Sequence, residues 1–82
     1  MKYYVELKPK AIKDLKGLPK TEGKRIIEKL NLLEDDLQGN VKRLTNYTPE
    51  YRLRVGDWRV LFEVDDNKII VYRIRHRKEA YK

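Results

Sequence analysis

Between residues 51 and 75 the chain alternates arginines with apolar residues in three short runs separated by turn-forming residues. The runs are YRLRV (51–55), WRVLFEV (58–64) and KIIVYRIR (68–75), with Gly56-Asp57 and Asp65-Asp66-Asn67 between them. A period of two is the signature of β-strands, whose successive side chains point to opposite faces. Two tight turns in succession predict an antiparallel meander. Each strand then has an apolar side that must be covered and a charged side that must meet solvent or a ligand.

The first half of the chain supplies the cover. Residues 2–7 alternate, with Tyr3, Val5 and Leu7 on one side and Tyr4 and Glu6 on the other, which predicts one more strand. Pro9 suits the first turn of a helix, and Ala11, Ile12, Leu15 and Leu18 follow at helical spacing until Gly17 and Pro19 intervene. Thr21 is the expected N-cap of a longer second helix. Its apolar stripe is Ile26, Ile27, Leu30, Leu33 and Leu37, and Gly39-Asn40 is its expected stop. Residues 41–50 read as an irregular connection. The expected fold class is α+β: a β-α-α-β-β-β order with a helical hairpin packed on one face of a small, largely antiparallel sheet. No segment is left to cover the other face, which is expected to stay open.

With 82 residues, the chain is expected to be one domain, 1–82. A domain of this size buries only about 60–65% of the surface its unfolded chain would expose, so a deep internal cofactor pocket is not expected. The absence of Cys excludes disulfides, thiolate zinc sites and a Cys nucleophile. One His cannot build a multi-histidine metal centre, and neither metal nor cofactor is expected. There is no Ser, no Gly-rich phosphate loop and no HExxH. The paired carboxylates Asp35-Asp36 and Asp65-Asp66 sit in helix-end and turn contexts that suit solvated charges. No apolar run approaches the ~20 residues of a membrane span, and the start lacks the apolar stretch of a signal peptide. No membrane association is expected, and the expected location is the cytoplasm.

The net charge of +7 predicts attraction to polyanions, or simply a basic soluble protein. The distribution of that charge is more specific. Nine of the twelve Lys lie in residues 1–50, whereas six of the eight Arg lie in residues 51–82. In strand phase Arg52 and Arg54 share a side opposite Leu53 and Val55. Arg59 lies opposite Trp58, Val60 and Phe62, and Arg73 and Arg75 lie opposite Tyr72 and Ile74. Three adjacent strands so arranged make one cationic face with Glu63 as nearly its only acid. A solvated face is one reading; a phosphate-binding face is the other, because the planar guanidinium fork grips phosphate bidentately.

The final ten residues, RIRHRKEAYK, gather the only His, four basic residues close to it (Arg73, Arg75, Arg77 and Lys78) and a Tyr. Metal-free RNA cleavage needs a group to take the 2′-hydroxyl proton, a group to protonate the 5′-oxygen, and cations for the developing charge. His76 has an intrinsic pKa of about 6.5, suited to acid or base work. Tyr81, with an intrinsic pKa of about 10, needs nearby cations to serve as a base. Arg59, Arg75 and Arg77 are the candidate transition-state stabilisers, with Arg52, Arg54, Arg73 and Lys78 as further candidate RNA contacts.

The segment Arg54-x-Gly56-Asp57-Trp58-Arg59 and the ending His76-Arg77-Lys78-Glu79-x-Tyr81, in this order of elements and at this length, resemble the RelE branch of the RelE/ParE toxin superfamily. The resemblance covers essentially the whole chain, and it is generic in the N-terminal half. It implies a toxin of a toxin–antitoxin pair that cleaves mRNA, often in the A site of the 70S ribosome, without metal or small-molecule cofactor. The implied reaction is 2′-hydroxyl attack leaving a 2′,3′-cyclic phosphate. A cognate antitoxin is the implied protein partner. Arg59 matches the family's strand arginine at the scissile phosphate, and Arg52 and Arg54 match basic residues on the preceding strand. Tyr81 matches the C-terminal tyrosine of proton transfer or base stacking, and Arg77 best matches the arginine upstream of it, with Arg75 as the alternative. His76 stands where some members carry histidine and others Gly or Lys. With one residue beyond it, Tyr81 is expected to become ordered on the ribosome or RNA. The alternative within the superfamily is a ParE-like toxin that inhibits DNA gyrase by protein binding, and a third reading is a non-enzymatic RNA-binding relative.

Overall fold

The computed structural model describes residues 3–34 and 51–79 together with the backbone of 41–43. Seven elements follow in chain order: β1 (Tyr4–Leu7), α1 (Pro9–Lys16), α2 (Lys20–Leu33), β2 (Val41–Arg43), β3 (Tyr51–Val55), β4 (Trp58–Asp65) and β5 (Lys68–His76). The strands form one sheet in the order β1-β5-β4-β3-β2. β1 lies parallel to β5, and all other neighbours are antiparallel. A parallel pair needs a long crossover, and the α1–α2 hairpin begins it. The expected α+β class therefore holds, with an additional edge strand.

The core lies between the helices and one sheet face. Phe62, Val60, Ile69 and Val71 are completely enclosed in the two central strands, with Leu53, Val55 and Ile74 around them. Ala11 from α1 and Ile26, Leu30 and Leu33 from α2 close over these side chains. Each such aliphatic or aromatic burial is worth about 1.5–3 kcal/mol. In β1, Val5 and Leu7 pack against this core while Tyr4 and Glu6 stay exposed, as the alternation predicts.

Four local expectations change. First, α2 begins at Lys20 with Pro19 as N-cap, so Thr21 lies within its first turn. Proline has no N–H to leave unsatisfied there, and the Pro19 carbonyl accepts from Gly23 N–H at 2.9 Å. Second, α2 ends at Leu33: the Glu34 N–H closes on the Asn31 carbonyl at 3.2 Å, and the Glu34 carbonyl accepts from Tyr3 N–H at 2.7 Å at the entry to β1. Leu37 and the expected stop at Gly39-Asn40 lie outside the described residues. Third, Val41–Arg43, expected to be irregular, pairs with Leu53, Arg52 and Tyr51. A three-residue strand is too short to declare itself by alternation, and pairing across the chain creates it.

Fourth, the phase of β5 slips. The register runs Val60↔Ile74, Leu61↔Arg73, then Phe62↔Val71, with a bulge that leaves Tyr72 unpaired. The inward residues are Ile69, Val71 and Ile74, so Tyr72 is exposed instead of sharing the face of Ile74.

Candidate nucleic-acid interface

The open face of the sheet is built from two cross-strand rows. One places Arg54, Arg59 and Arg75 directly opposite one another on β3, β4 and β5. The next places Arg52, Leu61 and Arg73 opposite one another. Directly opposed residues have Cβ atoms about 4.5–5.5 Å apart, and like charges at that spacing destabilise a sheet. Glu63 shares this face beside Ile70 and Glu6, at the end away from the first row.

Arg59 is the centre of the first row and is only 8% exposed. Its Nη1 donates to the carbonyls of Gly56 and Trp58, both at 2.9 Å. These two bonds hold the guanidinium at the β3–β4 turn. Gly56 adopts φ +58°, a left-handed conformation that glycine takes without penalty, and this sharp turn presents its carbonyl to Arg59. Burial, followed by the charges of Arg54, Arg52 and Arg77, lowers the Arg59 pKa; Asp57 partly opposes this. The group stays protonated at physiological pH, but its charge is poorly compensated.

Arg75 approaches Glu79 at 3.5 Å, and Arg77 approaches Asp57 at 3.8 Å with both side chains largely exposed. The Arg77 N–H donates to the Asp57 carbonyl at 2.8 Å, extending the β4–β5 ladder past His76. Arg75 is thus the direct cross-strand neighbour of Arg59, and Arg77 acts on it from the sheet end. Lys78 is exposed in the following turn.

Two of the expected candidates depart from this cluster. His76 pairs with Trp58 across β4–β5, and the rings meet edge to face with centroids 5.5 Å apart. Trp58 donates its indole N–H to Glu22 of α2 at 2.8 Å, which fixes both rings on the helix side of the sheet. His76 therefore lies across the sheet from the arginine rows. Arg73 makes a two-point contact with Asp14 of α1, Nε to Oδ2 at 2.8 Å and Nη2 to Oδ1 at 3.2 Å. Tyr81 lies outside the described residues.

The sequence reading missed Asp14. Beyond Leu7, β1 no longer pairs with β5, and Asp14 takes over by accepting from the Ile74 N–H at 3.0 Å. Burial would raise its pKa, but the bonds from Arg73 and Ile74 and the charges of Arg73 and Arg75 prevail and hold it below the ordinary carboxylate value. Arg73 is correspondingly raised by the bond to Asp14. The available signal was an acid within the apolar stripe Ala11, Leu15, Leu18; Glu22, one turn before Ile26, carries the same signal.

Among the described residues no helix is long and apolar enough to cross a membrane. No three metal-ligating His, Cys, Asp or Glu side chains gather among them.

Known proteins share this fold. The family model described as ParE toxin of type II toxin-antitoxin system, parDE, matches residues 5–81. The toxin RelE3 of Methanocaldococcus jannaschii is 39% identical over 77 residues, covering 85% of either chain. The archaeal RelE-RelB complex from Pyrococcus horikoshii contains a chain with TM-score 0.79 at 30% identity, covering 98% of this chain and 100% of that one. A chain of the RelB-RelE complex from Methanococcus jannaschii has TM-score 0.72 at 35% identity, covering 92% of this chain and 93% of that one. The open arginine face on a helix-backed sheet is thus carried by a chain that belongs to the RelE/ParE superfamily, the RelE-like toxins of toxin–antitoxin systems.

Proposed function

We propose that this toxin is an endoribonuclease that cleaves mRNA on the ribosome without a metal ion, and that a cognate antitoxin holds it silent in the cytoplasm. The observation that carries this reading is Arg59, nearly buried between Arg54 and Arg75 and fixed by two carbonyls. Opposed arginines cost stability in the free protein, and a phosphate seated among them offsets that cost.

In the proposed reaction the 2′-oxygen forms a bond to phosphorus and the bond to the 5′-oxygen breaks. The 2′-hydroxyl proton goes to a base, and the leaving 5′-oxygen receives a proton, leaving a 2′,3′-cyclic phosphate. Arg59, with Arg54, Arg52 and Arg75 or Arg77, stabilises the charge on the non-bridging oxygens. Because His76 occupies the opposite face, the proton transfers fall to Tyr81 or a ribosomal group.

The RelE–RelB complexes support an antitoxin partner for this chain too. Segments that neutralise the arginine rows would block the reaction directly.

The test is mRNA incubated with the purified protein, with and without 70S ribosomes, in EDTA, and mapped by primer extension. Ribosome-dependent, EDTA-resistant cleavage lost in Arg59→Ala supports the reading. Intact mRNA beside a folded protein that still arrests growth overturns it. The match to the ParE family model favours gyrase inhibition as the second reading, and a supercoiling assay on the same samples decides between the two.

A further inference from the structure

A cleft of about 620 Å³ opens between α1 and the end of β5, on the helix side of the sheet. Trp58 and His76 line it together with Lys10 and Lys13 of α1, and Arg73 and Arg75 border it from β5. We infer that this cleft binds one nucleotide of an RNA strand, its base against the Trp58–His76 pair and its phosphate on Lys10 and Lys13. The inference deepens the proposed function, because it names a second RNA contact beside the arginine rows.

Four observations carry it. The volume falls within the ~300–1,000 Å³ of small-molecule sites, so one nucleotide fits. The aromatic pair is rigid: the Trp58 indole is tied to Glu22, and the imidazole stands at 86° to it. The His76 Nδ1 accepts the Lys78 N–H at 3.3 Å, which leaves Nε2 as the ring's donor, able to meet a base carbonyl. The cations are available. Lys10 and Lys13 form no ion pair among the described residues, whereas the two acids that line the cleft are engaged, Asp14 by Arg73 and Glu79 by Arg75.

Position supports the same ligand. Arg75 belongs both to the row containing Arg59 and to the rim of the cleft. Neighbouring strands are about 4.8 Å apart, so an RNA strand crossing Arg59 reaches the outer edge of β5, beside Asp14, within one strand spacing. There β1 has ended and the cleft opens. A chain seated with its phosphate on the arginines thus delivers an adjacent nucleotide to the aromatic pair. Base–aromatic stacking of this kind is sequence-tolerant and typical of single-strand binding.

Trp58 is the only tryptophan in the chain, so its fluorescence reports on the cleft directly. The probes are a mononucleotide, AMP or UMP, and a three-nucleotide 2′-O-methyl RNA that cannot be cleaved. Binding of the labelled trinucleotide is followed separately by anisotropy. Both probes are expected to quench Trp58 saturably, and the double variant Lys10→Glu/Lys13→Glu is expected to weaken the mononucleotide about tenfold. Both lysines are on the helix surface, and circular dichroism verifies that the variant folds. Arg59→Ala should weaken the trinucleotide while leaving mononucleotide quenching intact. A trinucleotide that binds by anisotropy without changing Trp58 fluorescence overturns the inference, as does mononucleotide quenching that the lysine substitutions do not weaken. Quenching by the cognate antitoxin but by neither nucleotide probe also overturns it and makes the cleft a protein-docking site. Failure of the proposed function is distinguishable: mRNA stays intact on ribosomes, whatever the mononucleotide does.

Discussion

Arg59 shows how one residue can serve the proposed chemistry at the expense of the fold. It sits on a central strand between two arginines, and two carbonyl acceptors compensate only part of its charge. Arg59→Ala is expected to lower the cleavage rate at least about 10²-fold, the scale of removing one transition-state donor. Arg59→Lys is expected to recover little of that, because an ammonium cannot reproduce the fork that reaches both carbonyls and a phosphate. By contrast, His76→Ala should retain cleavage within about tenfold, since the ring lies on the other face; single-turnover primer extension on ribosomes measures all three. Asp14 works in the opposite sense, as a stabiliser. Its folded pKa lies below the ordinary value of about 3.9, so its contribution is fully present above about pH 4 and is lost as pH falls through the folded pKa. Asp14→Asn is expected to cost about 1–3 kcal/mol at pH 7 and to flatten the acid limb of the stability curve, as read by urea unfolding between pH 2 and pH 7.

At the scale of elements, the β3–β4 hairpin was legible because its determinants are local. Alternation on either side of Gly56-Asp57 determines strands, turn and facing, and the strands occupy Tyr51–Val55 and Trp58–Asp65. A Cβ at Gly56 would meet only the Arg25 guanidinium at 3.7 Å, an ordinary contact, so Gly56→Ala is penalised through its φ of +58° alone. The expected cost is about 1 kcal/mol. Because the Gly56 carbonyl holds Arg59, the same substitution should reduce cleavage more than that loss of stability explains, which thermal melts beside cleavage rates will show. Elements whose determinants are distant were not legible. The bulge at Tyr72 depends on which residue of β4 faces it, and β2 depends on β3. The Glu34 carbonyl at the end of α2 is met by the N–H of Tyr3, thirty-one positions earlier in the chain.

At the scale of the whole molecule, two basic surfaces meet at the end of β5. Arg52, Arg54, Arg59 and Arg75 occupy the open sheet face and the rim at β5, while Lys10 and Lys13 of α1 line the cleft on the helix side. If RNA engages the four arginines at 52, 54, 59 and 75, the slope of log K against log salt should be about −3, from ~0.7 per phosphate contact on a single strand. Reversing Lys10 and Lys13 as well should make it shallower; anisotropy titrations from low to high salt measure both slopes. The sequence by itself determined the α+β class, the helical hairpin cover, the phase of β1, β3 and β4, and the presence of arginines on the uncovered face. It could do so because period, turn chemistry and amphipathicity are written within a few residues of one another. Only the tertiary structure decided that Arg59 is nearly buried, that Arg73 is drawn to Asp14, and that His76 stands with Trp58 across the sheet from the arginines. Those outcomes depend on register, on a bulge and on where β1 ends beside β5, which are relations between segments far apart in the chain.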